Sequence, residues 1–358
     1  MTDDDFWLRG EALLWWTRGM KLPPLASASP PGTPLIDAGV LGTPGATVLF
    51  GGNNSLLNDS RWGVRVQGGG WIDCSKQIAL EADYLGLRGL SQIFQAGSDG
   101  TDIISRPFIN AVTGVPDAEL ISFPNVLAGT VTVSAKTEFN SAGARLRWNM
   151  GCEDWGCGDG LRWHLLTGYR FAELDERLVI REQLESLLPG NGTFDLHDRF
   201  RTENEFHGAE LGSVLRVRRG RWDAELLGKL ALGNVRQTVA ISGDTVTDNG
   251  VVTETLTGGL LAQRTNIGTY RRDRFAAIPE LGVTLGYRIS HGWSASLGYS
   301  LIMWRNVVRP GDQIDPTVDV RLIPPEIPAA PDATRPGFAF RDTHFWAQGI
   351  NFGLSYRW

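Results

Sequence analysis

Charged residues at alternate positions are the feature of this sequence with the clearest chemical potential. Arg145 and Arg147 are separated by one residue, as are Arg216 and Arg218. Because side chains two positions apart on a β-strand point to the same face, each pair would concentrate positive charge on one surface. Facing carboxylates would neutralise these guanidinium groups, whereas free guanidinium groups would attract small anions. The spacing therefore predicts either interlocked ion pairs or an anion-preferring constriction.

The strands that would position these arginines follow from an alternation of apolar and polar residues. In the last segment, small or polar residues occupy one parity, and Gln348 alone interrupts the apolar residues of the other parity, which are Trp346, Ile350, Phe352, Leu354, Tyr356 and Trp358. A period of two residues is typical of a strand and has no helical explanation. It indicates a strand with lipid on one face and a polar lumen on the other.

Ten segments carry this pattern, with varying strictness. They cover residues 6–17, 62–72, 78–88, 140–150, 161–172, 207–218, 222–233, 280–289, 293–304 and 346–358. Short turns alternate with long connectors at 18–60, 89–139, 173–206, 234–276 and 305–345. This alternation predicts one all-β domain over residues 1–358, an antiparallel up-and-down transmembrane barrel with short periplasmic turns and long external loops. A ribbon tip at Asp248-Asn249-Gly250 would raise the count to twelve if it paired within the bilayer, and a soluble sandwich is the alternative fold.

Composition excludes several classes of protein. The 34 Lys and Arg residues are outnumbered by 40 Asp and Glu residues, so the chain lacks the basic character of a nucleic-acid-binding protein. The sequence contains no run of about 18 consecutive apolar residues that could form a transmembrane helix. The acidic start Met1–Asp5 differs from the basic start of a secretory signal. We expect the signal to have been removed or the reading frame to be truncated, with a cytoplasmic protein as the alternative.

The parity of each strand assigns eleven cations and seven acids to the lumen, a difference of four positive charges. The cations are Arg9, Arg65, Arg145, Arg147, Arg162, Arg170, Arg216, Arg218, Lys229, Arg288 and Arg357, and the acids are Glu11, Glu81, Asp83, Glu210, Asp223, Glu225 and Glu280. Buried unpaired charge is costly, so we expect a hydrated lumen or acids supplied by loops that fold inward. The candidate constriction residues are Arg145, Arg147, Arg216, Arg218, Glu210 and Lys229.

Three other groups of residues suggest local roles. The outward residues Phe352, Leu354, Tyr356 and Trp358 predict a signal for the barrel-assembly machinery, or simply a lipid-facing strand. Cys152 and Cys157 could form a disulfide in a periplasmic turn, remain reduced, or, least favourably, bind a metal with Cys74 and His291. Nine tryptophans near predicted strand ends indicate an interfacial girdle; they are Trp7, Trp15, Trp16, Trp71, Trp148, Trp163, Trp222, Trp293 and Trp346.

Catalytic motifs are missing from the sequence. It contains no HExxH, GxSxG or P-loop string. Asp195, His197 and Asp198 lie close together in sequence, as do Asp342 and His344, but such loop clusters are usually solvated surface. We therefore predict no catalytic site, cofactor or bound metal.

Four longer strings resemble the beta-barrel porin-7 family of bacterial outer-membrane proteins. They are EALLWWTRGMKLPPL, VLGTPGATVLFGG, NVVRPGDQID and the ending FRDTHFWAQGINFGLSYRW, and the similarity runs from residue 6 to residue 358. The resemblance implies an outer-membrane β-barrel. It assigns no catalytic or binding role to any residue.

These observations lead to an expected function and two alternatives. We expect a narrow, porin-like passive channel for small solutes or ions in the bacterial outer membrane, with lipid and the assembly machinery as partners and no nucleic acid. The main alternative is a closed barrel that acts as a structural or surface-interaction anchor through its long loops, and an outer-membrane hydrolase is the third. Inward-folded loops and fully paired lumen charges would favour the anchor. A continuous water path past the arginine pairs would favour the channel.

Overall fold

The computed structural model describes residues 5–52, 55–156, 159–189, 192–325 and 330–358. Ten antiparallel strands dominate these residues. They are β1 (Phe6–Thr17), β2 (Arg61–Trp71), β3 (Ile78–Ser98), β4 (Leu127–Gly156), β5 (Asp159–Ser186), β6 (Thr193–Arg219), β7 (Trp222–Asp248), β8 (Gly268–Arg288), β9 (Trp293–Val307) and β10 (Thr343–Arg357).

The ten strands form a closed ring, so the predicted all-β barrel of ten strands is confirmed. Each strand pairs with its neighbours in the chain, and β10 returns to pair with β1, where Trp7 lies opposite Arg357. The ribbon around Asp248-Asn249-Gly250 does not add to the ring. Its second arm, Thr253–Thr257, pairs only with the end of β7.

The long connectors carry additional β-structure at one end of the barrel. A five-stranded sheet combines Ala26–Ser29, Thr47–Phe50, Ile103–Asn110, Pro116–Ser122 and Thr317–Val318, and a separate pair joins Met20–Lys21 to Ser55–Leu56. Pro310–Gln313 forms one α-helical turn, and Leu35–Asp37 and Val320–Leu322 form 3₁₀ turns. Among the described residues, no helix is long and apolar enough to cross a membrane.

Strands β4 to β7 are 27 to 30 residues long, whereas about 10 residues suffice to cross a bilayer. Their apolar face changes along their length. On β5, Leu165 and Tyr169 are apolar and point outward, but farther along Leu174, Leu178 and Ile180 are apolar and completely buried inside. A continuous strand therefore leaves the lipid and enters water, where its inward face becomes the apolar one.

A ring of outward polar residues marks the edge of the lipid-facing band. In the strand register, Glu173 lies opposite Glu205, Glu205 opposite Arg236, and Arg236 opposite Asp273. Beyond this ring the barrel continues as an extension that has its own apolar core. The predicted connectors 173–206 and 234–276 are therefore mostly strand rather than loop. Their apolar residues face inward and their polar residues outward, as in a barrel surrounded by water.

Three tryptophans predicted for the girdle lie inside the barrel, so that part of the prediction is wrong. Trp15 is completely buried and donates a hydrogen bond from Nε1 to Asn351 Oδ1 at 2.7 Å. Trp7 and Trp71 face each other in the lumen with ring centroids 6.0 Å apart. Strand parity decides the outcome, because a side chain near a strand end still points to the face that its position dictates.

Candidate functional site: the barrel lumen

The membrane-spanning part of the lumen contains a neutral network of seven cations and seven acids. Each member has an oppositely charged partner at 3.8 Å or less. The cations are Arg9, Arg65, Arg145, Arg147, Arg170, Arg216 and Lys229, and the acids are Glu11, Glu81, Asp83, Glu210, Asp223, Glu225 and Glu280. The seven predicted lumen acids thus neutralise seven of the eleven predicted cations.

Two glutamates hold the centre of this network together. Glu210 lies 3.2 Å from Arg145, 3.1 Å from Arg170 and 3.6 Å from Lys229. Glu280 lies 2.5 Å from Arg170, 2.9 Å from Lys229 and 3.2 Å from Arg65. Because six different strands contribute these groups, the contacts tie opposite walls of the barrel across its interior.

The predicted constriction residues therefore lie together, with one exception. Arg145 also pairs with Asp83 and Glu81, Arg147 reaches Glu81 at 2.7 Å, and Arg216 pairs with Glu225. The guanidinium group of Arg147 also lies over the ring of Trp7, 5.5 Å from its centroid. Arg218 lies at the short-turn end of the lumen and has no ion-pair partner among the described residues. The expected excess of positive charge is therefore displaced from the network to that end.

An internal cavity of about 30 Å³ lies within the network. Its lining includes Arg9, Glu11, Arg145, Arg147 and Lys229. This volume suits about two or three water molecules, since a single water requires roughly 10–15 Å³ of such space. The network therefore leaves room for only a few water molecules, as expected for a barrel only slightly larger than eight strands.

An apolar layer closes the lumen on the long-loop side of the network. Phe139, Phe206, Trp304 and Phe345 are at most 1% exposed. The rings of Phe139 and Phe345 lie 5.2 Å apart, and those of Phe206 and Trp304 lie 6.1 Å apart, within the usual range of aromatic contact. Smaller apolar side chains from the same level complete the layer; they include Leu13, Leu87, Leu174, Ile278 and Ile302.

A folded loop covers the apolar layer, and Arg309 fastens it. The Arg309 side chain donates to Glu176 at 2.6 and 2.7 Å and to the carbonyl oxygens of Arg18 and Gly19 at 3.0 and 2.7 Å. Arg309 and Glu176 are 2% and 0% exposed. On the same loop, the Val308 N–H donates to Asn204 Oδ1 at 2.8 Å. The loop therefore docks inside the barrel mouth.

A second buried ion cluster lies farther out, beyond the lipid-facing band. Arg106 pairs with Glu182 and, at 2.9 Å, with Asp198. Asp198 also accepts hydrogen bonds from the N–H groups of Leu261 and Ala262 at 3.1 and 2.8 Å. Burial, together with the nearby carboxylate of Glu182, raises the pKa of Glu119 well above its usual value. These contacts bind two inward-folded connectors to the barrel wall.

The acid and histidine clusters noted in the sequence do not form a shared site. His197 lies 3.4 Å from Asp244 and 3.8 Å from Asp195 on the outer face, whereas Asp198 points inward to Arg106. Adjacent residues of a strand necessarily point to opposite faces. Asp342 pairs with Arg272 and, at 3.4 Å, with Arg274. Across the described residues, no group of three or more His, Cys, Asp or Glu side chains has an arrangement that could hold a metal ion.

The remaining predicted residues lie at the short-turn end. Phe352, Leu354, Tyr356 and Trp358 are exposed on the outer face of β10 or just beyond it, and Trp358 stacks on Phe6 with centroids 6.0 Å apart. Their role in assembly remains a prediction. Cys157 and the side chain of Cys152 lie outside the described residues, so the predicted disulfide also remains a prediction. Cys74 is exposed and free.

Sequence reasoning missed the apolar layer and the Arg309 contacts. The signal for the layer was present, because Ile302 and Trp304 are apolar at inward positions of β9, where the other inward residues are small and polar. Arg309 lies within the string NVVRPGDQID, but its partner Glu176 is 133 residues away. Nothing local in the sequence connects these two residues.

The match to a protein-family model agrees with the barrel fold. The family model described as "Putative beta barrel porin-7 (BBP7)" matches residues 7–358. No curated protein sequence matches the chain. The structure is similar to the outer membrane protease OmpT from Escherichia coli, with 10% identity, coverage of 100% of this chain and 98% of that one, and a TM-score of 0.46.

Two further solved structures show weaker similarity. The toluene transporter TodX from Pseudomonas putida has 10% identity, covers 100% of this chain and 90% of its own, and gives a TM-score of 0.24. A FadL homologue from Pseudomonas aeruginosa has 10% identity, covers 99% and 90%, and gives 0.23. Similarities at this level carry no information about function.

Proposed function

This chain belongs to the beta barrel porin-7 family, and on that premise we propose that it is a closed outer-membrane barrel that anchors its β-structured extension at the cell surface. The lipid-facing band holds the protein in the membrane, and the extension presents the folded connectors on the outside. The barrel-assembly machinery and outer-membrane lipid are its partners. The protein acts as an anchor and interaction platform rather than as an enzyme.

The observation that carries this proposal is the double closure of the lumen. A solute entering from the short-turn end meets a network in which fourteen charged side chains are paired across the interior. It then meets the apolar layer of Phe139, Phe206, Trp304 and Phe345, which is at most 1% exposed. Moving ions through either layer would require breaking buried ion pairs or hydrating an apolar constriction, and both are costly.

The extension offers a surface suited to binding. A recess of about 760 Å³ opens at its rim, with acidic residues such as Asp99, Glu185 and Asp248 beside apolar residues such as Phe194 and Val246. This volume lies in the range of small-molecule sites, which combine apolar walls with a few polar groups. We therefore propose this recess as a candidate ligand site on the platform.

A passive channel for small solutes or ions is the second candidate. The 30 Å³ cavity lined by Arg145 and Arg147 favours it, because that cavity has room for water beside two guanidinium groups. Conduction would require the network and the apolar layer to open together. Such a channel would have an anion preference that depends on these two arginines.

Single-channel recording separates the two candidates. The refolded full chain is inserted into a planar bilayer with a salt gradient, and its folded state is checked by its altered gel migration before and after boiling. We expect silence from inserted protein. Stable anion-preferring steps that lose their preference in Arg145→Ala/Arg147→Ala would instead establish the channel and reject the closed barrel.

Epitope tags test the orientation on which the platform depends. One tag is inserted at Gly250 in the ribbon tip of the extension, and a matched tag is inserted at Gly220 in a short turn; both are exposed glycines with positive φ. Antibody added to intact cells should bind only the tag at Gly250. Labelling of the Gly220 tag alone would place the extension in the periplasm and contradict the platform.

A further inference from the structure

Four inward arginines remain outside the neutral network. Arg162, Arg218, Arg288 and Arg357 lie on β5, β6, β8 and β10, at or near the short-turn end of each strand. Arg162 is exposed and the other three are half-buried. Their side chains have no ion pair or hydrogen bond among the described residues. They account for the whole difference of four positive charges expected for the lumen.

These arginines are close enough to repel one another. Arg218 is subject to the positive charges of Arg288, Arg216 and Arg162, and Arg357 to those of Arg216 and Arg218. The nearby acids are Asp223 and Glu225, and both already pair with Arg216. The short-turn mouth of the barrel therefore concentrates guanidinium groups without enough carboxylate groups to neutralise them.

Buried polar atoms next to this cluster also lack partners. His164 is 5% exposed and follows Arg162 on the inward face of β5, and its Nδ1 atom has no hydrogen-bond partner. The Nε atoms of Arg147 and Arg216 are likewise buried without a hydrogen bond, although Arg216 Nε lies 3.8 Å from the Asp223 carboxylate. Buried polar groups in proteins are normally hydrogen-bonded, so these atoms beside the arginine cluster have unused hydrogen-bonding capacity.

We propose that the short-turn mouth of the lumen binds an oxyanion of the phosphate class. Guanidinium groups recognise phosphate oxygens through paired N–H donors, and one multivalent anion can accept from several arginines at once. It would neutralise the cluster of Arg162, Arg218, Arg288 and Arg357 and supply acceptors to the unpartnered donors beside it. The ligand is either a free phosphate compound or the headgroup of a phospholipid. This site does not depend on whether the lumen is closed.

Binding is measured on the full chain refolded in a non-ionic, phosphate-free detergent at constant ionic strength. Sodium pyrophosphate is titrated by calorimetry and by tryptophan fluorescence. The fluorescence reports on this end of the lumen because the ring centroid of Trp71 lies 6.3 Å from that of His164. A parallel arm adds phosphatidylglycerol to the micelles, with phosphatidylcholine for comparison. Saturation by pyrophosphate identifies a site for free phosphate compounds, and saturation by phospholipid alone identifies a headgroup site.

Matched variants locate the site. Arg218→Gln/Arg357→Gln should weaken binding at least tenfold, whereas Arg271→Gln/Arg305→Gln removes two exposed arginines from the opposite end and should leave it unchanged. The ligand should also raise the unfolding temperature of the unmodified chain and have little effect on that of Arg218→Gln/Arg357→Gln. Removing mutually repelling charges should not prevent folding, and heat-dependent gel migration verifies this. Absence of saturation in both arms, or an equal loss in the two double variants, would overturn the proposal.

Discussion

Arg309 provides the sharpest test of how the barrel mouth is closed. Replacing it with glutamine removes two charge-assisted contacts to Glu176 and two hydrogen bonds to the carbonyl oxygens of Arg18 and Gly19. Glu176 would remain as a completely buried carboxylate without its partner. Breaking a buried ion pair by removing one member costs about 3–5 kcal/mol.

This cost should fall on the docking of the loop rather than on the barrel as a whole, because the ten-stranded ring keeps its backbone hydrogen bonds. At about 1.4 kcal/mol per tenfold change, the population of the undocked loop should rise by roughly two to three and a half orders of magnitude. Amide hydrogen exchange over residues 306–323, followed by mass spectrometry in detergent, should accelerate accordingly. Exchange in the lipid-facing strands should not change.

Two comparisons make this result specific. Arg305→Gln removes an exposed arginine near the end of β9, just before the loop that carries Arg309, and should leave exchange unchanged. Glu176→Gln/Arg309→Gln removes both buried charges and should recover part of the protection, since neither charge is then left unpaired. The single variant should still not conduct, because the apolar layer lies beneath the loop. Unchanged exchange over residues 306–323 in correctly folded Arg309→Gln would refute the role of this contact.

Two further predictions concern the extension and the last strand. The raised pKa of Glu119 means that ionisation of this side chain destabilises the fold. Protection of Pro116–Ser122 from hydrogen exchange should therefore fall as pH rises above about 4.5, the ordinary carboxyl pKa. Glu119→Gln should flatten this pH dependence, and a pH profile identical to that of the unmodified chain would contradict the prediction. Trp358→Ala should reduce barrel assembly in cells without impairing refolding in detergent, whereas Trp346→Ala, on the same face, should not; equal losses would indicate lipid packing alone.

The sequence predicts the membrane-spanning strands well because their signal is local. Alternation along β10 places Tyr356 outward and Arg357 inward without knowledge of any other strand. The same rule correctly assigned the seven lumen acids. It could not predict that Glu210 and Glu280 would each join several cations, because those contacts depend on register and on the curvature of the ring. The segment bounds do place the four remaining arginines at the short-turn ends of their strands, but the sequence does not show that they lack ion-pair partners.

The extension was missed for a different physical reason, which also explains the closure of the barrel. A membrane barrel is apolar outside and polar inside, whereas a barrel in water is the reverse. On β7 the apolar parity changes from Leu226 and Leu230, which face outward, to Val235 and Val239, which are completely buried. In the sequence this change resembles the end of a strand, although the hydrogen-bonded ladder continues.

Where the two patterns meet, the interior must change from paired charges to apolar side chains within a single strand. Phe139, Phe206 and Trp304 lie at this junction and separate the ion-pair network from the core of the extension. The apolar layer is therefore a second apolar cluster beneath that core, and the loop fastened by Arg309 contributes Val307 to the layer and Val308 to the core. A solute pathway would have to cross the core of the extension as well as the network, so opening this barrel would require unpacking its external platform.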